Sequence, residues 1–271
     1  MNLSTTAIRS FQDFIWDFYA QNRREFAWRH HDDPYAIVVS EIMLQQTQTH
    51  RVAQKFELWL CEFPDFATLA QAPLRDVLSI WSGLGYNRRA IALQKIAQRV
   101  VAEFDGQLPS DPAILVTFPH IGPNTAGSIC AFAFNKPTVF IETNIRAVYI
   151  HSFFKDKTEI TDKELQPLVE QTVDHGNARE WYYALMDYGV FLKSQMVNPS
   201  RKSAHHATQS KFEGSDRQIR GMMLRLLTAK SCTMQELVDQ SKKEESRVKR
   251  IVEDLCVEGF ITKDSFIYTI S

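Results

Sequence analysis

Two glutamates stand in settings that could give them different acid–base roles. Glu41 lies inside an apolar stretch, 35-YAIVVSEIML-44, which a run of six polar residues, Gln45 to His50, then follows. Apolar surroundings raise a carboxyl pKa, and an acid still protonated near neutrality can give its proton to a leaving group. Glu142 ends the apolar run of 138-TVFIETNIRAV-148 where the next helix begins. A helix N-terminus stabilises an ionised carboxylate by ~0.3–1 kcal/mol. Taken singly, each also has an ordinary reading: a solvated or ion-paired side chain for Glu41, a capping residue for Glu142.

Two further stretches have the residue types for gripping nucleic acid. In 118-FPHIGPNTAGSI-129, proline and glycine make a tight turn and Pro123 opens a helix. Free backbone N–H groups there, with Gly122 allowing close approach, suit a phosphate. In 81-WSGLGYNRRA-90, Tyr86 stands on a glycine-shaped loop before Arg88 and Arg89. An aromatic so placed suits wedging between stacked bases while arginines hold phosphates. A plain helix–turn–helix connection and a core tyrosine with surface arginines are the alternatives.

The elements that must position these residues read almost entirely as helix. Asp33-Pro34 is a good helix start for the Glu41 segment. Apolar periodicity predicts further helices over 5–20, 49–63, 66–71, 74–83, 88–104, 111–118, 123–134, 143–154, 162–173 and 177–192. An all-α domain is therefore expected over 1–193. Residues 194–215 are polar without period and read as a linker. Three helical runs, 216–229, 233–241 and 244–258, precede a short hairpin around Asp264-Ser265, a winged-helix-like pattern over 216–271. Its third helix mixes Lys242, Lys243, Arg247, Lys249 and Arg250 with Glu244, Glu245, Glu253 and Asp254. That is either a self-paired exposed face or a DNA-reading helix.

Bulk properties narrow the class. The 271 residues are 44% hydrophobic and 23% charged, with a net charge of −1, so any basic binding surface must be local. No apolar run of membrane-spanning length and no secretory signal is evident. The four cysteines are far apart and suggest reduced thiols in an intracellular protein, cytoplasmic or at a bacterial nucleoid, with no metal knot.

In this order, SEIMLQQTQ, WSGLGY, GPNTAG and the ALMDYG of 184–189 resemble the helix-hairpin-helix (HhH-GPD) DNA glycosylase superfamily, and within it the MutY-type adenine glycosylases. The resemblance covers about residues 8–193. It implies the helix-hairpin-helix glycosylase fold and an enzyme of base excision repair that flips a nucleotide from the duplex and cuts its N-glycosidic bond. The implied catalytic pair is Glu41, which protonates the leaving base, and Glu142, which supports the positive sugar. One acid must be neutral and the other charged, as in other glycoside cleavages. Gln46 and Thr47 are implied to enter the DNA opposite the flipped base, and Tyr86 to wedge beside the opposing guanine. Arg88 and Arg89, and the hairpin's His120, Gly122, Asn124 and Thr125, are implied DNA contacts, the hairpin also holding a monovalent cation through backbone carbonyls. Arg24, Phe26, Trp28, Asn144 and Tyr183 are implied to line the base pocket. The implied partner is double-stranded DNA containing a mispair or lesion, bound by a monomer without a membrane.

The departures bear on substrate. Asn124 replaces the lysine nucleophile of bifunctional members, so base removal without efficient strand cleavage is expected. Lys193 stands at the first of four iron–sulfur cysteines and none lies between 193 and 231, so no cluster is expected. His120 replaces a glycine, where a left-handed backbone would be strained and the turn is expected to differ. Glu142 replaces an aspartate, Tyr183 a purine-contacting glutamine, and the winged-helix-like tail a Nudix-like domain. Adenine opposite 8-oxoguanine or guanine is the leading substrate. A different damaged or deaminated base, or a catalytically weak lesion sensor, are the alternatives.

Overall fold

Capping chemistry sets most of the helix boundaries. Ser4 accepts the Ala7 N–H to start α1 (Thr5–Asn22). Asp33 Oδ1 accepts the Tyr35 N–H at 3.1 Å to start α2 (Pro34–Leu44). Then follow α3 (Thr49–Glu62), α4 (Phe66–Gln71), α5 (Leu74–Trp81), α6 (Arg88–Glu103), α7 (Pro112–Leu115), α8 (Pro123–Phe134), α9 (Thr143–Phe153), α10 (Asp162–Thr172) and α11 (Ala178–Gln195). Beyond these lie α12 (Asp216–Ala229), β1 (Cys232–Thr233), α13 (Met234–Ser241), α14 (Glu245–Val257), β2 (Ile261–Asp264) and β3 (Ile267–Ile270). The expected helices are all present. The structure is a computed structural model that describes residues 1–205 and 211–271.

The chain forms two units, one of Met1–Glu41 with Pro109–Thr208, the other of Ile42–Leu108 with Gln209–Ser271. In the first unit, α11 packs along α9, α1 and α8. Gly189 on α11 makes its approach to α9 close: a Cβ there would lie 2.6 Å from the Asn144 carbonyl oxygen. Part of the expected linker packs in this unit. Pro199–Lys202 form a 3-10 turn against α9, and Ile160 donates to the Lys202 carbonyl at 3.0 Å.

In the second unit, α4 packs on α6, and α12 packs on α5 as well as on α13 and α14. The expected hairpin is present, with Ile261 paired to Ile270, and β1 adds a third strand through Cys232 and Tyr268. Arg247 and Arg250 of α14 both pair with Asp216, and Lys249 pairs with Glu245. These basic residues of α14 are therefore paired, two with Asp216 of α12 and one within the helix.

Among the described residues, no helix is long and apolar enough to cross a membrane.

Candidate active site

The first unit holds Glu41, Glu142 and the expected pocket and hairpin residues; Gln46, Thr47, Tyr86, Arg88 and Arg89 belong to the second. Helix α2 is apolar on all sides, as a buried helix is. Residues 35 to 40 are buried, and Glu41 is partly so. Burial pushes the Glu41 carboxyl up to about 7; a Ser128 hydrogen bond opposes the rise, and the charge of Glu142 adds to it.

Ser128 on α8 is a partner that sequence reading missed. Its hydroxyl donates to Glu41 Oε2, and the Thr125 carbonyl lies 3.0 Å from Ser128 Oγ as a second acceptor. A hydroxyl carries one proton. When Glu41 is ionised, Ser128 can serve only one of these two acceptors. When Glu41 is protonated, the acid donates to Ser128 and Ser128 donates to Thr125. Ser128 can therefore stay bonded to Glu41 in either state, as donor to the carboxylate or as acceptor from the acid.

Glu142 has the opposite surroundings. It is the N-cap of α9, and its Oε1 accepts the N–H groups of Asn144 at 2.7 Å and Ile145 at 2.9 Å. Its Oε2 accepts from Asn144 Nδ2 at 3.0 Å. Three donors thus converge on this carboxyl at a helix N-terminus. Asn144, expected in the base pocket, is spent on this task, and its Oδ1 accepts from Lys193 Nζ at 2.8 Å.

The pocket residues form a connected run of flat groups. Phe132 stacks on Tyr183 with centroids 4.5 Å apart, the Arg29 guanidinium lies 4.5 Å from the Tyr183 ring and 5.3 Å from Phe26, and Phe26 stacks on Trp28 at 4.6 Å. Burial raises the Tyr183 phenol pKa, and the charge of Glu41 raises it further. Arg29 and Asp187 were not anticipated. Asp187 on α11 accepts from Arg29 at 2.7 and 2.8 Å, from Arg24 Nε at 2.7 Å and from the Arg24 N–H at 3.0 Å. Burial alone would raise the Asp187 pKa, but these donors outweigh it and hold the carboxyl below its usual range. Arg24, expected to line the base pocket, ties the 24–29 segment to α11.

His120 in the hairpin adopts φ 59°, the left-handed conformation that is strained for a residue other than glycine. Gln46 at φ 54° and Tyr86 at φ 49° are likewise left-handed. Strain of this kind costs of order 1–3 kcal/mol and collects at functional tips. Gly122 is the N-cap of α8, which no side chain caps. Asn124 Oδ1 accepts the Ile141 N–H at 3.1 Å, tying α8 to the residue before Glu142.

Arg89 corrects another expectation. It is 3% exposed, and its guanidinium donates to the carbonyls of Ile42, Met43 and Gln45 at 2.6–2.9 Å, to Thr47 Oγ1 at 2.9 Å and to Gly85 at 3.0 Å. It ties off the C-terminal end of α2 and fastens the 82–87 loop to it, so no donor fork faces a phosphate. Arg88 is exposed and pairs with Glu258 at 2.6 Å. Gln46 and Tyr86 are exposed, and Thr47 is held by Arg89.

Lys193, at the position expected of the first cluster cysteine, bonds Asn144. Among the described residues, no group of three His, Cys, Asp or Glu side chains is placed to hold a metal.

An adenine DNA glycosylase of Buchnera aphidicola is 32% identical over 69% of this chain and 54% of its own length. One of Mycobacterium tuberculosis is 27% identical over 91% of this chain and 88% of its own. The chain thus spans about half the length of curated relatives such as the Buchnera protein. The solved structure of a thermostable thymine-DNA glycosylase superposes with a TM-score of 0.62 at 24% identity, covering 72% of this chain and 91% of that one, and shares the helical fold. Residues 39–173, which include both glutamates, match the model of the HhH-GPD superfamily base excision DNA repair proteins, and the chain belongs to that superfamily.

Proposed function

We propose that this protein is a monofunctional DNA glycosylase that removes adenine opposite 8-oxoguanine or guanine from double-stranded DNA. The observation that carries the proposal is the contrast between two carboxyls of one unit: Glu41 raised to about 7 by burial, and Glu142 held by three donors at a helix start. The relatives named as adenine DNA glycosylases support the choice of base.

The chemistry follows from that contrast. Protonated Glu41 gives its proton to a ring nitrogen of the flipped purine as the C1′–N bond breaks and the bonding pair leaves with the base. The Glu142 carboxylate stabilises the positive charge that develops on the sugar. Water then adds to C1′, and its proton returns to the ionised Glu41. Position 124, where a nucleophilic lysine would form a Schiff base, is an amide whose oxygen accepts the Ile141 N–H. The reaction therefore ends at an abasic site. The proposal includes a monomer acting on a mispair or lesion, gripped by the hairpin with a monovalent cation on its carbonyls.

Tyr183 favours a second reading, a different damaged or deaminated base. Its ring is engaged by Phe132 and Arg29, so it does not reproduce the hydrogen-bonding edge of a glutamine. Duplexes carrying single A, U, T, hypoxanthine or oxidised bases, each opposite every partner, separate the readings once abasic sites are cleaved with alkali. Release of adenine opposite 8-oxoguanine or guanine is expected. Release from other duplexes alone would replace the substrate, and tight binding without release would point to a lesion sensor.

A further inference from the structure

Helix α11 brings two residues onto Asn144 from one face. Gly189 lets the backbones of α11 and α9 meet, since a Cβ there would lie 2.7 Å from Asn144 Cβ. Lys193 follows four residues later, one helical turn on, and so shares that face. Its ammonium donates to Asn144 Oδ1 at 2.8 Å, with Thr143 Oγ1 at 3.4 Å. Asn144 Nδ2 in turn donates to Glu142 Oε2 at 3.0 Å.

The chemistry of the ammonium gives this chain of contacts a direction. A lysine ammonium donates and cannot accept. The oxygen of the Asn144 amide must therefore face Lys193, and its NH₂ must face Glu142. Without the lysine, only the bond to Glu142 holds the amide, and its oxygen loses the Lys193 donor that anchors it. Lys193 is partly buried; burial pulls its ammonium pKa down, while the charge of Glu142 supports the protonated form.

We propose that Lys193 is a positioning residue for base release: it fixes the Asn144 amide, and Asn144 fixes the Glu142 carboxylate beneath the sugar. This role rests on the glycosylase reading above. It gives position 193 a task in the reaction in place of cluster ligation.

The test compares wild type, Lys193→Met, Lys193→Arg, Asn144→Ala and the Lys193→Met/Asn144→Ala double variant on the duplex the wild type cleaves. Base release is followed under single turnover at saturating enzyme, and duplex affinity is measured separately at fixed salt. Lys193→Met should slow release about 10- to 100-fold, as expected for a misplaced catalytic group. Duplex affinity should stay within about 2-fold, since no phosphate contact is lost. Lys193→Arg, which keeps the donor, should recover most of the rate. Adding Lys193→Met to Asn144→Ala should cost nothing more, because the two act in series.

A Lys193→Met enzyme at wild-type rate, a loss confined to affinity, or losses that multiply in the double variant would each overturn the role. If Lys193→Met does not fold, Lys193→Gln, whose amide can bond Asn144 in either sense, takes its place in the same comparison. A wild type that frees no base from any duplex overturns the glycosylase reading and this inference with it. An active wild type with unaffected variants overturns this inference alone.

Discussion

Arg217 Nη1 donates to the Tyr86 hydroxyl at 2.7 Å, and the Arg217 guanidinium also lies 5.6 Å from the Tyr86 ring. Arg217 is in the first turn of α12, so the C-terminal segment holds the tip of the 82–87 loop. Glu258 adds a second tie, pairing with Arg88 and with Arg220. The winged-helix-like elements are thus built into the unit that carries the expected wedge.

If Tyr86 enters the duplex, this tie sets its position before DNA arrives. Arg217→Met should weaken duplex binding by about 2- to 10-fold, the worth of one hydrogen bond. Base release at saturating enzyme should be unchanged. Tyr86→Phe removes the same bond from the other side, so the two changes should not add in a binding titration.

Ser128 opposes the rise in the Glu41 pKa. Ser128→Ala should therefore shift the loss of activity at high pH upward, because Glu41 stays protonated to higher pH. The limb that reports Glu41 lies near pH 7 in the wild type. A single-turnover pH–rate profile of both proteins shows the direction; a downward shift would contradict the assigned hydrogen bond.

Glu41 also costs stability at neutral pH. Its ordinary value is 4.5 and its folded value about 7, so the unfolded chain ionises first as pH rises. The native state is then penalised progressively from about pH 4.5 to pH 7, and the penalty levels off at about 3 kcal/mol. Glu41→Gln should melt higher than wild type at pH 8 and nearly level with it at pH 4, while releasing no base. A melting difference that does not grow with pH would place the carboxyl in water.

The helices were legible because caps and periodicity are local. Asp33-Pro34 opens α2, and Thr233 with Glu236 forms the capping box of α13. Glu41 and Glu142 were legible as an acid in an apolar helix and an acid at a helix start. Their partners were not, because contacts such as Ser128 to Glu41 and Arg29 to Asp187 join residues 87 and 158 positions apart. One signal was present and unused: Asp187 lies in α11 among buried neighbours, and a buried carboxylate needs cations. Strand β1 is only two residues long, too short for a pattern.

Arg89 shows the same limit within a single helix. Adjacent arginines look alike in sequence, yet Arg88 is exposed and Arg89 is buried. The register separates them, since Arg89 shares a face with the buried Leu93, Ile96 and Val100, and Arg88 does not. Burial lowers the Arg89 pKa to about 10, with Arg51 nearby adding to the fall, so the guanidinium remains charged at neutral pH. Arg89→Met would leave the carbonyls of Ile42, Met43 and Gln45 without this donor, at a cost of about 2–4 kcal/mol. Thermal melting should show that loss. A phosphate-contacting arginine behaves otherwise: its removal lowers the slope of log affinity against log salt by about one, with little change in stability. The expected result for Arg89→Met is a lower melting temperature with an unchanged salt slope at temperatures where the variant is folded. Arg88→Met should show the reverse if phosphate displaces Glu258 from Arg88 when the duplex binds.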